Sequence, residues 1–336
     1  GGPQGMFVIE SAIAKAAMEL KVPARAIQQR NFLSENDEFQ YGQKATEVRI
    51  RDCFETLCRH HDIEKIASET ELFNSTHELQ KKGMAVMPIC FGISFTNTPM
   101  NQARALVHIY QDGSIGISTG AIEMGQGVST KLVQVAARIF SVDASRVKIE
   151  TTNTTRVANT SPTAASAGAD LNGNALIIAC NALLRRLRDT AAGMCGCTPD
   201  KIELKNESVF NNGTCTDIKW EQLVQKAFLD RVCLTENGHY STPHIFFDKT
   251  KEKGHPFAYH VYGAAAVTVT VDCLRGTYTV DNVFVVHDFG NSLNPVIDKG
   301  QIEGGLMQGL GWMTMEEVSY NADGRLLSNS LSTYKV

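Results

Sequence analysis

Two hairpin patterns interleaved with helical patterns constrain the fold of this chain most strongly. The segment "ALVHIYQDGSIGIS" (105–118) predicts a hairpin, because Asp112-Gly113 can supply the positive φ of a tight turn. In "AVTVTVDCLRGTYTVDNVFVV" (266–286), valines and threonines alternate around a turn at Leu274 to Gly276. Hairpins mixed with strand–helix units favour an α+β layered fold over a doubly wound parallel sheet.

The helical patterns lie on both sides of these strands. Residues 4–20 carry apolar side chains at the three-and-four spacing of an amphipathic helix, and Pro23 suits the first turn of a second. Further helices are predicted over 52–68, 129–140, 170–190, 218–228 and 294–312. Short β-rich runs begin near Lys81, which predicts a mostly helical part over 1–80 and an α+β part over 81–336.

Composition limits the class of partner. The 336 residues carry a net charge of −4 with 20% charged residues and no block of like charge, which argues against nucleic acid or an anionic membrane as the main partner. No stretch approaches the roughly 18 consecutive apolar residues of a membrane span, and no signal peptide is recognised, so we expect a cytoplasmic protein. Nine cysteines fit reduced thiols, and we interpret Cys195 and Cys197 as part of a surface loop rather than a metal site.

A glycine-rich turn, "GAIEMGQGVSTK" (120–131), separates a strand-like run from a helix-like run. Gly120, Gly125 and Gly127 let a ligand approach the backbone, and the start of the helix offers unpaired amides to an anion such as a phosphate. The spacing matches neither a Walker loop nor a dinucleotide fingerprint. Gln126 is neutral and both donates and accepts, which suits a heterocycle edge or an oxo group; a plain strand-to-helix turn is the alternative.

Two more segments combine small residues with polar ones. "NTSPTAASAGADLNGNAL" (159–176) places Ser161, Thr163 and Ser166 before a helix, where they can contact a ligand or cap the helix. The predicted helix over 294–312 contains five glycines between 300 and 311, each costing about 0.8–1.0 kcal/mol relative to alanine, which indicates close packing by another group. Glu303 is a candidate general base there, although a solvated or paired carboxylate is the commoner case.

The remaining candidates lack a functional spacing. Ser129 and Ser166 do not lie in the GxSxG elbow of a serine hydrolase. The histidines show no HExxH-type pattern, and we interpret them as structural or surface residues. The seven considered as lone candidates, of nine in the chain, are His60, His61, His108, His244, His255, His260 and His287.

Taken together, the segments resemble the molybdenum-cofactor region of the molybdenum hydroxylase family, which contains the xanthine dehydrogenases and aldehyde oxidases. The resemblance covers essentially the whole chain and implies two molybdopterin-binding lobes. The collinear motifs are "GGPQG", "FGISFT", "EMGQGVSTK", "TSPTAASAGAD", "DFGNSLNPVIDKGQIEGGLMQGLG" and "LSTYK".

The resemblance assigns roles to individual positions. Ala165 matches the residue that approaches molybdenum without a side-chain ligand, and Phe95 and Thr96 match residues that hold the purine in xanthine-oxidising members. The metal is held by the dithiolene sulfurs of the pterin, so no Cys or His cluster is required. The implied cofactor contacts are Gly125, Gln126, Gly127, Thr163, Ala165, Ser166 and Gln301.

The implied reaction is hydroxylation of xanthine or hypoxanthine with oxygen from water, assisted by a glutamate base. Electrons then pass to iron–sulfur centres and FAD in other parts of an oligomeric parent enzyme. The "GEPP"-like base segment would lie beyond Val336, and the purine-clamping arginine and first glutamine motif would lie before Gly1. We therefore expect no catalytic residue in this chain, expect it to be inactive alone, and regard Glu303 as a poor candidate for the base.

Two alternatives remain open at this point. Asn97, Thr98 and Pro99 are more polar than expected at the pocket entrance of a xanthine enzyme, so an aldehyde or another N-heterocycle is the alternative substrate. The second alternative is a non-catalytic scaffold subunit whose glycine turns only pack against a partner.

Overall fold

The computed structural model describes residues 2–150 and 152–335. The first residue of the "GGPQG" motif, Thr151, and the last residue of the predicted 81–336 part lie outside the described residues. The helices are α1 Gly2–Leu20, α2 Ala24–Arg30, α3 Ile50–His60, α4 Ile63–Thr76, α5 Val128–Phe140, α6 Gly168–Cys195, α7 Trp220–Leu229 and α8 Pro295–Thr314.

The strands form four small sheets. Their bounds are β1 Gln80–Ile93, β2 Gln102–Ile109, β3 Ile115–Thr119, β4 Val147–Ile149, β5 Ile202–Lys205, β6 Ser208–Asn211, β7 Thr214–Lys219, β8 Thr235–Ser241, β9 Phe246–Asp248, β10 Lys253–His255, β11 Tyr259–Asp272 and β12 Thr277–His287. Short 3-10 helices span Thr98–Met100, Ala144–Arg146 and Pro199–Lys201. This mixture of sheets, hairpins and helices confirms the predicted α+β class.

The chain divides into two compact units. The first contains Gly1–Ala103, Ser161–Leu171 and Tyr240–Gly290, and the second contains Arg104–Thr160, Asn172–His239 and Asn291–Val336. Helices α1 to α4 precede β1, and all five elements lie in the first unit. Among the described residues, no helix is both long enough and apolar enough to cross a membrane.

The first unit is built on an antiparallel sheet in the order β1-β11-β12. The predicted hairpin β11–β12 turns at Gly276, whose amide donates to Asp272 O and whose φ is +68°. Helix α3 buries Phe54 and Leu57 against Ala264 and Ala266 of β11. Each large apolar side chain buried in this way contributes about 1.5–3 kcal/mol, so the helices hold one face of the sheet away from water.

The helix predicted over 52–68 is wrong as a single element. The structure has α3 and α4 instead, and Asp62 between them has a left-handed φ of +46°. A left-handed residue cannot continue a right-handed helix, so the chain changes direction while Ile63 is still buried in the same core.

The second unit contains a sheet in the order β4-β3-β2-β8. β2 and β3 form the predicted hairpin, in register from Ala105↔Thr119 to Ile109↔Ile115, and β3 pairs in parallel with β4. Gly113 has a φ of +83° in the connecting turn, and its carbonyl accepts a 2.7 Å hydrogen bond from Trp220 Nε1. Trp220 is fully buried, so it fastens α7 to this turn.

Helix α5 connects β3 to β4 and is amphipathic. It buries Leu132, Ala136 and Phe140, and every residue of β3 is buried. The following antiparallel sheet β5-β6-β7 was not predicted from the sequence. This core places the glycine-rich turn between β3 and α5 at the carboxyl end of a buried strand.

Candidate functional site

The glycine-rich turn is organised by Glu123. Its Oε1 accepts hydrogen bonds from Gly125 N at 3.0 Å and Gly127 N at 2.9 Å, and its Oε2 accepts one from Ser129 N at 3.0 Å. Partial desolvation opposes the charged form, but these three amides hold the pKa of Glu123 below its ordinary value. The amides that the sequence offered to a phosphate are thus bonded to a carboxylate of the loop itself.

Gln126 closes the same turn from the other side. Its Oε1 accepts from Met124 N, and its Nε2 donates to Ile122 O at 2.7 Å. A carboxamide has two donor hydrogens and two lone pairs, so each end of this group keeps capacity for one further bond. The side chain is half-buried, but Gly125 beside it is exposed, and an added Cβ at Gly125 would meet nothing within 4 Å. The exposed side of the turn therefore presents a neutral hydrogen-bonding edge next to open space.

The first turn of α8 contacts this loop within the second unit. A Cβ built on Gly127 would lie 2.8 Å from Cδ1 and Cγ2 of Ile297. Lys131 on α5 donates to Asp298 Oδ1 at 2.9 Å, and Asn294 caps α8 by accepting from Ile297 N at 3.1 Å. Gln301 lies four residues beyond Ile297, about 6 Å further along the helix axis. The structure thus brings two of the predicted cofactor-contacting segments to one place.

Four of the five glycines of α8 do not pack against the described residues, whereas Gly311 lies against the side chain of Glu316. Added Cβ atoms at Gly300, Gly304, Gly305 and Gly309 would each meet nothing within 4 Å. The close packing that these glycines indicated is therefore not supplied by the described part of the chain. Glu303 forms a 3.6 Å ion pair with Lys299, and its side chain is 63% exposed, as expected for a solvated carboxylate.

The small-residue segment of 161–167 lies in the first unit and is conformationally strained. Ala165 and Ser166 have φ values of +54° and +55°, a region that costs an L-residue about 1–2 kcal/mol. A Cβ added at Gly168 would lie 3.2 Å from Thr163 Cγ2. The side chain of Thr163 therefore lies against the start of α6. Consecutive strained residues are typical of positions where a binding site fixes the backbone.

The predicted purine-contacting residues also lie in the first unit. Asn101 is buried, and its side chain both accepts from Phe95 N and donates to Phe95 O, each at 2.8 Å. Its Nδ2 donates to Thr98 O at 3.1 Å as well. Phe95 is half-buried and Thr96 is exposed, so Asn101 fixes the backbone from which both side chains project.

A cavity of about 460 Å³ opens beside Ala165 in the same unit. Tyr41 Oη lies 2.9 Å from His260 Nε2 in its wall, and Phe39 stacks on His260 with ring centroids 4.4 Å apart. Burial and neighbouring His255 lower the pKa of His260, and burial chiefly raises the pKa of Tyr41. Both groups are therefore neutral near pH 7, and the wall is polar without being charged.

Sequence reasoning missed Tyr41 and interpreted His260 as structural. The two residues are separated by 219 positions, so their pairing had no local signal. Within residues 2–150 and 152–335, no group of three or more His, Cys, Asp or Glu side chains could hold a metal ion. Cys195 and Cys197 are free thiols, and Cys195 is the last residue of α6 rather than part of a loop.

The residues present fit a pterin better than a nucleotide phosphate. The open capacity of Gln126, the free space at Gly125 and the Cβ-free face of α8 suit a flat, neutral heterocycle that brings its own metal ligands. A phosphate at the loop amides would have to displace Glu123.

Known proteins that are similar to this chain also indicate a pterin-binding site. A family model described as "Molybdopterin cofactor-binding domain" matches residues 56–336. Xanthine dehydrogenase/oxidase from Felis catus and from Mus musculus are each 39% identical over all of this chain, which spans 24% of their length. Xanthine dehydrogenase from Dictyostelium discoideum is 38% identical over all of the chain and 23% of its own length.

Solved structures share the fold at lower identity. Quinoline 2-oxidoreductase from Pseudomonas putida 86 gives a TM-score of 0.80 at 22% identity, covering 98% of this chain and 42% of that one. CO dehydrogenase from Oligotropha carboxidovorans gives 0.81 at 19% identity, covering 99% and 42%. The family model and the relatives confirm the resemblance recognised in the sequence, and the chain belongs to the molybdopterin cofactor-binding domain family.

Proposed function

We propose that this chain forms part of a xanthine dehydrogenase-like enzyme that hydroxylates xanthine or hypoxanthine, with water as the oxygen source. The observation that carries the proposal is the pairing of the Gln126 loop with the first turn of α8, in a chain 39% identical throughout to xanthine dehydrogenase/oxidase. The bound molybdenum cofactor would supply the two-electron oxidation of a purine carbon. Iron–sulfur clusters and FAD elsewhere in an oligomeric, cytoplasmic parent enzyme would accept the electrons.

The residues of this chain would bind and orient the cofactor. Gln126 would use its remaining N–H and lone pair on the pterin edge, and Gln301 would donate from α8. The open backbone at Gly125 would allow the heterocycle to approach closely. Gly127 has a different role, which is to leave room for α8, because the side chain of Ile297 occupies the space where a Cβ of residue 127 would lie.

The first unit would supply contacts to molybdenum and to the purine. Ala165, with Thr163 and Ser166 beside it, would approach the metal through its strained backbone rather than through a ligand atom. Phe95 would stack on the purine and Thr96 would hydrogen-bond to it, both held by Asn101. The uncharged Tyr41–His260 pair beside Ala165 supports a neutral aromatic substrate.

The base is proposed to come from outside the described residues. Glu303 is exposed and paired with Lys299, so nothing in its surroundings adapts it to remove a proton within a closed site. The isolated chain should therefore be inactive. Detectable xanthine oxidation by the isolated chain with an artificial electron acceptor would refute this part of the proposal.

The proposal is tested on the full-length natural polypeptide. Thr96→Ala should lower kcat/KM for xanthine at least tenfold, because a hydrogen bond to the purine is lost, while turnover of a simple aromatic aldehyde changes less than twofold. Thr279→Ala, the same exchange at an exposed position of β12, serves as the control. Equal losses on both substrates would favour the alternative, an aldehyde or other heterocycle hydroxylase, to which the polar Asn97 and Thr98 also point. Absence of pterin and molybdenum from the purified protein would favour a non-catalytic scaffold.

A further inference from the structure

The first turn of α8 is fastened to α5 by a buried polar network. Asp298 is 7% exposed, and its two oxygens accept from Lys131 Nζ, at 2.9 Å, and from Ser292 Oγ. One turn further along α5, Gln134 Oε1 accepts from Asn294 Nδ2 at 3.3 Å. These bonds connect two helices that are more than 150 residues apart in sequence.

The Lys131–Asp298 ion pair is much more buried than the Lys299–Glu303 ion pair on the same helix. The side chains of Lys131 and Asp298 are 20% and 10% exposed, whereas those of Lys299 and Glu303 are 79% and 63% exposed. Desolvation opposes the charge on Asp298, but the bonds from Ser292 and Lys131 keep its pKa below the ordinary value. Removing one partner of a buried pair leaves an uncompensated charge, whereas an exposed pair contributes little.

Beyond this first turn, α8 has few restraints from the described residues. Gly300, Gln301 and Glu303 are exposed, and four glycine positions face open space. The direction of the helix, and with it the place of Gln301, is therefore set mainly where Ile297 and Asp298 meet Gly127 and Lys131.

We propose that Lys131 and Asp298 are positioning residues, whose ion pair fixes Gln301 at the correct distance and angle from the Gln126 loop. The pair touches neither cofactor nor substrate in this role. Its effect on the cofactor rests on the proposed function, whereas its effect on the helix does not.

The test uses the full-length natural polypeptide carrying Asp298→Asn or Lys131→Met. Hydrogen exchange in peptides covering 295–305 should become at least tenfold faster, and the molybdenum-to-protein ratio should fall at least threefold. Lys299→Met and Glu303→Gln, which break the exposed pair on the same helix, should leave both quantities within twofold of the original protein. The charge reversal Lys131→Glu with Asp298→Lys should recover part of both losses.

The outcomes separate this proposal from the proposed function. Unchanged exchange in 295–305 would overturn the positioning role whatever the molybdenum content. Faster exchange with normal molybdenum retention would also overturn it, because the pair would then serve stability alone. An original protein without molybdenum would refute the proposed function, while its exchange data would still test whether the pair holds the helix. If Asp298→Asn does not fold, Ser292→Ala removes a single hydroxyl bond from Asp298 and should show the same effects at smaller size.

Discussion

Gly125 and Gly127 lie in one loop, and the structure gives them different reasons to be glycine. Gly127→Ala would keep a φ of +75° and place Cβ 2.8 Å from Cδ1 and Cγ2 of Ile297 and 3.1 Å from its Cγ1. Gly125→Ala would keep a φ of +99° with nothing within 4 Å. The first exchange is therefore strained in conformation and in packing, and the second in conformation alone.

The magnitudes follow from these distances. A left-handed alanine costs about 1–2 kcal/mol, reduced by about 0.4–1 kcal/mol through the unfolded chain, and overpacking adds about 1–3 kcal/mol. Gly127→Ala should thus destabilise the loop and the start of α5 by about 3 kcal/mol, and Gly125→Ala by about 1 kcal/mol. The difference of about 2 kcal/mol is the contribution of Ile297.

Hydrogen exchange measures the loss of stability locally. The quantity is the free energy of opening at the first amides of α5 that donate hydrogen bonds within the helix. Ile297→Ala removes the three atoms nearest to the new Cβ, so it should recover about 2 kcal/mol in the Gly127→Ala background and none in the Gly125→Ala background. Equal costs for the two glycine exchanges, or no coupling between positions 127 and 297, would refute the reasoning.

Two further predictions concern the loop and the strained segment. Glu123→Gln should speed hydrogen exchange most at Ser129, because the amide nitrogen that replaces Oε2 cannot accept, and less at Gly125 and Gly127, whose shared acceptor Oε1 is kept but loses its charge. Solvent exposure keeps the loss near the lower end of about 1.5–3 kcal/mol for bonds to a charged group. Folding lowers the pKa of Glu123, so ionised Glu123 stabilises the folded protein at pH values above the reference pKa of 4.5. This stabilisation is lost as the pH falls through the folded pKa. Glu123→Gln should abolish this loss of stability in acid. Ala165→Gly should stabilise segment 161–167 by about 0.5–1 kcal/mol by relieving its left-handed φ, whereas Ala164→Gly should destabilise it by a similar amount. Thermal unfolding of both variants would measure this difference, and a loss in both would show that Ala165 is not strained.

Local patterns predicted the elements whose cause is local. The Asp112-Gly113 turn, the β11–β12 hairpin and the helix at 128–140 all follow from residue types within a few positions of each other. The β5-β6-β7 sheet carried such a signal too, because Asn212-Gly213 provides the two positive φ values of a tight hairpin turn. The break at Asp62 had no comparable signal, since an aspartate in a left-handed conformation depends on the packing of both flanking helices.

The candidate site also combines features that local sequence patterns predict with features that they do not. Its glycine-rich loop was visible in the sequence, but Glu123 was not recognised as the group that occupies the loop amides, because that requires knowing how the turn folds back on itself. Lys131 and Asp298 are 167 residues apart, and Tyr41 and His260 are 219 apart. Such pairs are created by the arrangement of sheets and helices, and no periodicity along the chain indicates them.

The two tryptophans of this chain differ in a way that provides an optical readout. Trp220 is buried on the turn at Gly113, so its emission should be blue-shifted and should report melting of the β2–β3 hairpin. Trp312 lies on α8 and is 42% exposed. A Trp220→Phe variant would leave Trp312 as the only indole, and its emission wavelength and quenching by iodide would then follow the surroundings of α8 as cofactor or neighbouring protein is added.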